Sequence, residues 1–250
     1  MSGFKGNNRN KGRGGRGGKG SRGHAKKAEQ SHDEKLSRKL SSLLRHRAHK
    51  NGLTDCLRTD GYVPLDRVLA LPGFAQYNVD DIAAVVASND KQRFSMLEEE
   101  GEAGGDVTLY IRANQGHTIS GVLAEDLLTP ILFTSDDGGS LVAIHGTYFK
   151  SWPAILQSGG LSRMGRNQVH LAADLPGESG VISGMRSSCE VIVYVDVRKA
   201  VLEGGLDFFT SANGVILTPG DDEGMLSIAY FTKVINRTTN ETLYPPPVPT

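Results

Sequence analysis

The sequence predicts an α+β fold in two unlike halves: helices closed by a β-hairpin, then a β-rich half. Three observations predict it. Apolar residues recur at helical spacing behind Ser31 and again between Asn78 and Ser88. Two strand-like segments, Arg93–Leu97 and Val107–Ala113, then flank the polar, Gly-containing stretch EEEGEAGGD. Beyond residue 139 the apolar runs are short, and Val191–Val195 is continuous enough to lie centrally in a sheet.

Residues 1–30 stand apart. They hold nine Lys/Arg, one acid and the run KGRGGRGGKGSRGH, with almost no apolar side chains. Such a segment cannot bury enough surface to offset its ordering entropy, so a disordered basic tail is expected there. Arginine in a flexible glycine-rich chain can meet phosphates and stack on bases, or simply keep the protein soluble. Formal net charge is zero with 28 basic and 28 acidic residues, so the remaining 220 residues carry 19 basic and 27 acidic side chains. The neutral total hides a basic tail on an acidic body.

Order is expected from Ser31, which has capping-box spacing with Glu34. Leu36, Leu40, Leu43 and Leu44 form the apolar stripe of the first helix, with Ser42, Arg45, His46 and His49 on the other side. Pro64–Leu71 reads as a short helix with Pro64 at its first position. Asn78–Ser88 reads as a third, with Val79, Ile82, Val85 and Val86 inward. Three helices followed by a hairpin is the order of a winged-helix module, a plan common in nucleic-acid binding that does not by itself give function. Residues 119–138 read as a connector. The second half offers strands at Leu141–His145, Val169–Ala173, Glu190–Val197 and Gly214–Leu217, and helices at Tyr148–Gln157 and Arg198–Glu203. Ile228–Ile235 would close the sheet as an edge strand, and the Pro-rich LYPPPVPT should not pair in it. The expected organisation is a tail over 1–30, a winged-helix-like lobe over 31–130, a β-rich lobe over 139–236 and a Pro-rich tail over 237–250.

Several classes are excluded. Cys56 and Cys189 form no CxxC pair, so a structural zinc site is not expected and both thiols should be free. No apolar run reaches the ~18 residues that span a bilayer, and the N-terminus lacks an apolar core of signal-peptide length. An intracellular protein, cytoplasmic or nuclear, is expected, without membrane contact. The chain has no GxxxxGK[ST], no GxGxxG after a strand, no GxSxG and no carboxylate cluster for paired metal ions.

Five polar clusters remain. In LLRHRAH, Arg45 offers a two-pronged donor and His46 a titratable one, a pair that suits phosphate, although a solvated helix face would look alike. In IRANQGHT, Arg112 ends a strand and Asn114, Gln115, Gly116 and His117 follow, placing donors where a ligand could approach. In IHGTYFKSW, His145, Gly146 and Thr147 lie at another strand end, where the glycine would let a ligand come close to the backbone. GVISGMRSSCE presents Arg186 behind Gly180, Ser183 and Gly184, and in FFTSANGVILTPG Asn213 and Gly214 mark a turn into a strand.

Together these stretches resemble the tRNA 2′-phosphotransferase family. LSRKLSSLLRH, DGYVPLDRVL, RFSM, IRANQGH, HGTYFKSWPAIL, GVISGMR and SANGVILTPG occur in the family's order over roughly residues 34–236. The resemblance implies an RNA lobe of winged-helix type and an ADP-ribosyltransferase-like lobe that binds NAD. It implies an Arg-His-Arg-Arg catalytic set, here Arg45, His46, Arg112 and Arg186. RNA contacts would come from Arg45, His46, Arg112, Asn114, Gln115 and His117. NAD would be held by His145, Gly146, Thr147, His170, Ser183, Gly184, Asn213, Gly214 and Val215, with no metal. Gln168 stands where the family commonly has a histidine two residues before the one placed at His170.

The implied chemistry has two steps. The RNA 2′-phosphate attacks the nicotinamide-bearing ribose carbon of NAD and nicotinamide leaves. The ADP-ribose 2″-hydroxyl then attacks phosphorus and expels the RNA 2′-hydroxyl, giving ADP-ribose 1″,2″-cyclic phosphate. The nucleophile is already an anion, so no carboxylate base is required, and orientation and electrostatics carry the reaction. The implied partners are 2′-phosphorylated spliced tRNA and NAD, and the protein is expected to be a monomer. Two other readings are an ADP-ribosyltransferase acting on terminal phosphates of nucleic acid and a non-enzymatic RNA-binding protein.

Overall fold

The computed structural model describes residues 31–101, 105–134, 139–175, 185–186 and 188–245. The basic tail, Gly180, Ser183, Gly184 and the last five residues lie outside the described residues. The described residues from His32 onward cluster as one unit.

Helix α1 (His32–Ser42) buries Leu36 and Leu40, and its axis continues into a π-helical turn over Leu43–Arg47. The wider turn lets the adjacent Leu43 and Leu44 both enter the core while Arg45 and His46 follow on the same turn. This corrects the expected plain α-helical face, and π turns of this kind occur often at functional positions. A 3-10 turn (His49–Asn51) ends on Gly52, whose left-handed φ of 74° closes it.

Strand β1 (Val63–Pro64) leads into α2 (Leu65–Leu69). Pro64 therefore stands one residue before the helix and opposite Tyr110 in the sheet, not at the first helical position. Helix α3 (Val79–Ala87) is capped reciprocally by Asn78 and Asp81 and buries Ile82 and Val85. Val79 is exposed, because the first residue of the helix lies beyond the packed face. Strands β2 (Phe94–Glu100) and β3 (Val107–Ala113) form the expected hairpin, with β1 on the far side of β3. Glu98–Glu100, read as loop, extend the ladder opposite Leu109–Val107, and Glu99 there pairs with Arg58 at 2.6 Å. Leu36, Leu40, Leu44, Ile82, Phe94 and Ile111 share one core.

The second half is built on an antiparallel sheet. In chain order its described elements are α4 (Ala124–Leu127), β4 (Thr129–Pro130), β5 (Val142–Thr147), α5 (Trp152–Ser158), β6 (Gly160–Ser162), β7 (Val169–Ala172), β8 (Val191–Asp196) and α6 (Val197–Leu202). There follow β9 (Phe209–Thr210), β10 (Val215–Thr218), β11 (Met225–Ser227), a 3-10 turn (Ile228–Tyr230), β12 (Phe231–Asn236) and β13 (Thr242–Tyr244). Strand order is β13-β12-β8-β5-β7-β10-β9-β4, and β11 pairs separately with β6. β8 is interior, as its apolar run predicts. Val191, Val193 and Val195 face one core with Trp152 and Phe208, while Ile192 faces a second with Ile144 and Met185.

Three expectations fail here. The connector contains α4 and β4, and β4 forms one sheet edge against β9. β12 is not an edge, because β13 covers it. Leu243 and Tyr244 of the Pro-rich segment lie in that edge strand, and the prolines begin only after Tyr244.

Candidate active site

The loop after β3 is the hub of the site. Thr118 N–H donates to the Arg45 carbonyl at 2.9 Å. Its hydroxyl lies 3.4 Å from that carbonyl and 3.0 Å from His46 Nδ1. A hydroxyl that donates to the carbonyl must accept from Nδ1–H, which leaves His46 Nε2 for a ligand. On its other side the loop meets the second half. Asn167 N–H donates to the His117 carbonyl at 3.1 Å, and His170 Nε2 lies 2.8 Å from the Gln115 side-chain amide.

Arg45, Arg112 and His117 converge here. Arg112 stacks 4.5 Å from the Tyr62 ring centre, and its Nη1 donates to the Asp60 carbonyl at 3.1 Å. Five side-chain nitrogens or oxygens among the described residues are buried without a hydrogen-bond partner, and four belong to this cluster: Arg45 Nε and Nη2, Arg112 Nε and His117 Nε2. Buried polar atoms are normally satisfied, so four of them in one cluster leave hydrogen-bonding capacity open there. Burial, then Arg93 and Arg166, lowers the Arg45 guanidinium to about 10. Burial, then Arg45, His46 and Arg112, holds His117 near 3, so its imidazole is neutral. The His46 pKa is also lowered, by burial, then Arg45 and Arg166.

A second group of residues surrounds the β5–β7 junction. Ile144 pairs with Ala172, and beyond that pair the His145 imidazole Nδ1, not a backbone amide, donates to the His170 carbonyl at 2.9 Å. Two clefts meet on this wall, one of about 900 Å³ and one of about 290 Å³. His145, Thr147, Arg166 and His170 line both. Burial holds His170 near 3. Its Nδ1 lies 3.1 Å from the Gln168 carbonyl and its Nε2 2.8 Å from Gln115 Oε1, so each ring nitrogen faces an oxygen acceptor and the tautomer decides which of the two it donates to.

Arg166 is the residue that the sequence reading missed. It lies in the turn after β6, near Arg45, His46, His145 and His170, each of whose pKa values it lowers. Its own pKa is lowered by burial and by Arg186. Arg186 is exposed and lines the smaller cleft together with Arg166, beside the Tyr148 hydroxyl. Nothing in the local sequence distinguishes GRNQ from an ordinary polar turn.

Other expected contacts have different surroundings. The Asn114 amide is buried and filled at both ends, by Ser95 Oγ and by the Gln92 carbonyl, each at 2.7 Å. A Cβ at Gly146 would stand 2.2 Å from Met185 Sδ, so the bare backbone there admits Met185, and Gly146 also lines the smaller cleft. Asn213 and Gly214 form the turn into β10, with Asn213 Nδ2 donating to the Lys91 carbonyl at 2.8 Å. Val215 packs with Leu127, Leu128 and Leu217. Ser183 and Gly184 lie outside the described residues. Among the described residues no three His, Cys, Asp or Glu side chains gather as a metal site, and no helix is long and apolar enough to cross a membrane. Cys56 and Cys189 are free.

Arginine and histidine donors beside a nucleotide-sized cleft are the chemistry that suits a phosphate-binding class of site. Comparison with known proteins gives the family. Residues 31–220 match the description RNA 2'-phosphotransferase, Tpt1 / KptA family. The chain is 47% identical to tRNA 2'-phosphotransferase 1 of Danio rerio, over 82% of this chain and 86% of the relative. It is 44% identical to tRNA 2'-phosphotransferase 1 of Homo sapiens, over 83% of this chain and 77% of the relative. It is 40% identical to tRNA 2'-phosphotransferase of Saccharomyces cerevisiae, over 74% and 78%. The chain belongs to the RNA 2′-phosphotransferase, Tpt1 / KptA family.

Proposed function

We propose that this protein removes the 2′-phosphate left at the splice junction of tRNA and passes it to ADP-ribose drawn from NAD. The observation that carries the reading is the convergence of unpartnered, buried nitrogens on Arg45, Arg112 and His117. Two guanidinium groups and a neutral imidazole with open hydrogen-bonding capacity suit a phosphate dianion. His46, steadied through Nδ1 by Thr118, adds a group that can donate to the phosphate when protonated.

The larger cleft, about 900 Å³, falls within the range of about 300–1,000 Å³ typical of small-molecule sites, and it suits NAD. His145, Thr147, Arg166 and His170 would hold NAD where the two clefts meet, and Arg163, Gln168, Ile155 and Leu161 would line its remainder. NAD supplies the ribose carbon that accepts the phosphate, with nicotinamide as leaving group. The protein's part is to hold the dianion in line and keep its charge balanced. In the second transfer, negative charge grows on the phosphoryl oxygens. Arg166, between the phosphate cluster and the NAD cleft, is placed to stabilise it, with Arg186 a flanking cation. On this reading the helical half with its hairpin is a winged-helix-like RNA lobe, and the large sheet is the ADP-ribosyltransferase-like NAD lobe. Asn114 and Asn213 shape the loops and leave the contacts to their neighbours.

The test is nicotinamide release from NAD in the presence of a short RNA. The expected result is release only when the RNA carries an internal 2′-phosphate. Release with any terminal phosphate would instead support a nucleic-acid ADP-ribosyltransferase.

A further inference from the structure

Tyr110 and Arg112 stand two residues apart on β3 and so share one face of the hairpin sheet, while Ile111 between them is buried in the core. Tyr62, next to Val63 of β1, brings its ring to that shared face. The Arg112 guanidinium carbon lies 4.5 Å from the Tyr62 ring centre. The Arg58 guanidinium carbon lies 5.7 Å from the same ring centre and 5.4 Å from that of Tyr110. All three distances fall within the reach of a cation–π contact, so one buried ring carries two cations.

The turn over residues 58–62 closes on itself, with Arg58 N–H donating to the Tyr62 carbonyl at 2.9 Å and Gly61 N–H to the Arg58 carbonyl at 3.0 Å. Within it Asp60 serves the two arginines differently. Its carboxylate accepts from Arg58 Nη2 at 2.9 Å and from Tyr62 N–H at 3.2 Å, whereas its carbonyl accepts from Arg112 Nη1 at 3.1 Å. Glu99 also goes to Arg58, accepting from Nη1 at 2.6 Å. The division has a chemical consequence. A carboxylate on Arg112 would neutralise it and occupy donors that a phosphate needs. A ring face and a carbonyl hold the guanidinium plane and leave its charge uncompensated. Arg112 Nε, buried and without a hydrogen-bond partner, stays open.

We propose that Tyr62 and Arg58 are positioning residues for Arg112: the Tyr62 ring fixes the guanidinium plane, and Arg58 steadies that ring and draws the Asp60 and Glu99 carboxylates to itself. The inference rests on the proposed function, in which Arg112 grips the RNA 2′-phosphate. Both residues act through Arg112 and not on the phosphate, so their effect requires that Arg112 be present.

The test is a double-mutant cycle on the full chain, read as equilibrium binding by fluorescence anisotropy without NAD. Two short RNAs differ only in one internal 2′-phosphate. Tyr62→Leu is expected to weaken binding of the phosphorylated RNA about tenfold, the scale of one desolvated cation–π contact, and to leave the other RNA unaffected. Tyr62→Phe keeps the ring face and should restore the affinity. Arg58→Gln, on the more exposed side chain, should cost about threefold on the phosphorylated RNA. In an Arg112→Ala background both losses should vanish, because the group they position is gone. Losses that persist in that background, that fall equally on both RNAs, or that never appear would overturn the assignment. Unchanged thermal unfolding excludes a misfolded variant, and where Tyr62→Leu does not fold, Arg58→Gln decides by the same cycle. An Arg112→Ala protein that binds the phosphorylated RNA like the wild type would instead sink the phosphate reading itself, and the positioning role with it.

Discussion

A Cβ built on Gly116 would lie 3.6 Å from the Arg45 guanidinium carbon, so the strand-end loop and the π turn touch at a glycine. That glycine has a φ of 85°, a backbone that L-residues rarely adopt. The Arg45 side chain is therefore packed against a loop whose conformation depends on one residue lacking a side chain.

Gly116→Ala tests that dependence. The left-handed backbone should cost about 1–2 kcal/mol with a Cβ present, lowering Tm by several degrees. Turnover should fall further than stability does, because Arg45 loses its support. Single-turnover rates beside calorimetry check this, and a destabilised variant of normal rate would show that Arg45 orients itself.

Arg166 and Arg186 can be ranked. The charge of Arg166 bears on Arg45, His46 and both cleft histidines, whereas that of Arg186 bears on Arg166 and Tyr148. Arg166→Ala should reduce the rate by about 10²–10³-fold, the scale of losing one preorganised donor. Arg186→Ala should cost less. The reverse order in a side-by-side rate measurement would give the larger role to Arg186.

The cleft histidines make stability fall in acid. His117 and His170 are held near 3, and the His145 and His46 pKa values are also lowered, in each case first by burial. Unfolding returns each toward about 6.5, so below that pH the unfolded chain binds protons that the folded chain refuses. Stability is unaffected well above that value and declines as pH falls toward about 3, by at most about 1.4 kcal/mol per pH unit for each histidine. Urea unfolding at about pH 7 and about pH 5 should show the decline, and His170→Gln should flatten it by up to one proton's slope. An unchanged slope would mean that His170 is protonated in the folded protein.

At Gly146 a methyl group would meet Met185 Sδ at 2.2 Å and Cys189 Sγ at 2.9 Å. Gly146→Ala should destabilise by about 1–3 kcal/mol through overpacking. Adding Met185→Ala should recover part of that, because the two changes share one space. Additive losses in the double variant would place the strain elsewhere.

Much of the fold is legible where a segment is long enough to show a period. The β2–β3 hairpin, α3 and the interior strand β8 follow their apolar patterns closely. β4, β6, β9 and β13 have two or three residues each, too few for any alternation, and their pairing is set by neighbours distant in sequence. The π turn is hidden for a related reason, since one extra residue in a turn leaves the Leu stripe unbroken. In the site, Arg45, His46, Arg112 and His145 are visible as dense polar clusters beside strand or helix ends. Arg166 is not, because only the packing of the turn after β6 against the β3 loop brings it there, through Asn167 N–H and the His117 carbonyl. Asn213 reads as a turn residue and is one, yet its bond to Lys91 spans 122 positions and no local pattern announces it.

The most direct test follows the phosphate itself. An RNA labelled only in an internal 2′-phosphate is mixed with excess enzyme and NAD, and the label is traced through a single turnover. The account requires the label to pass into a cyclic phosphate of ADP-ribose while the RNA strand stays intact and gains a 2′-hydroxyl. Label released as inorganic phosphate, or retained on the RNA after nicotinamide has left, would contradict it.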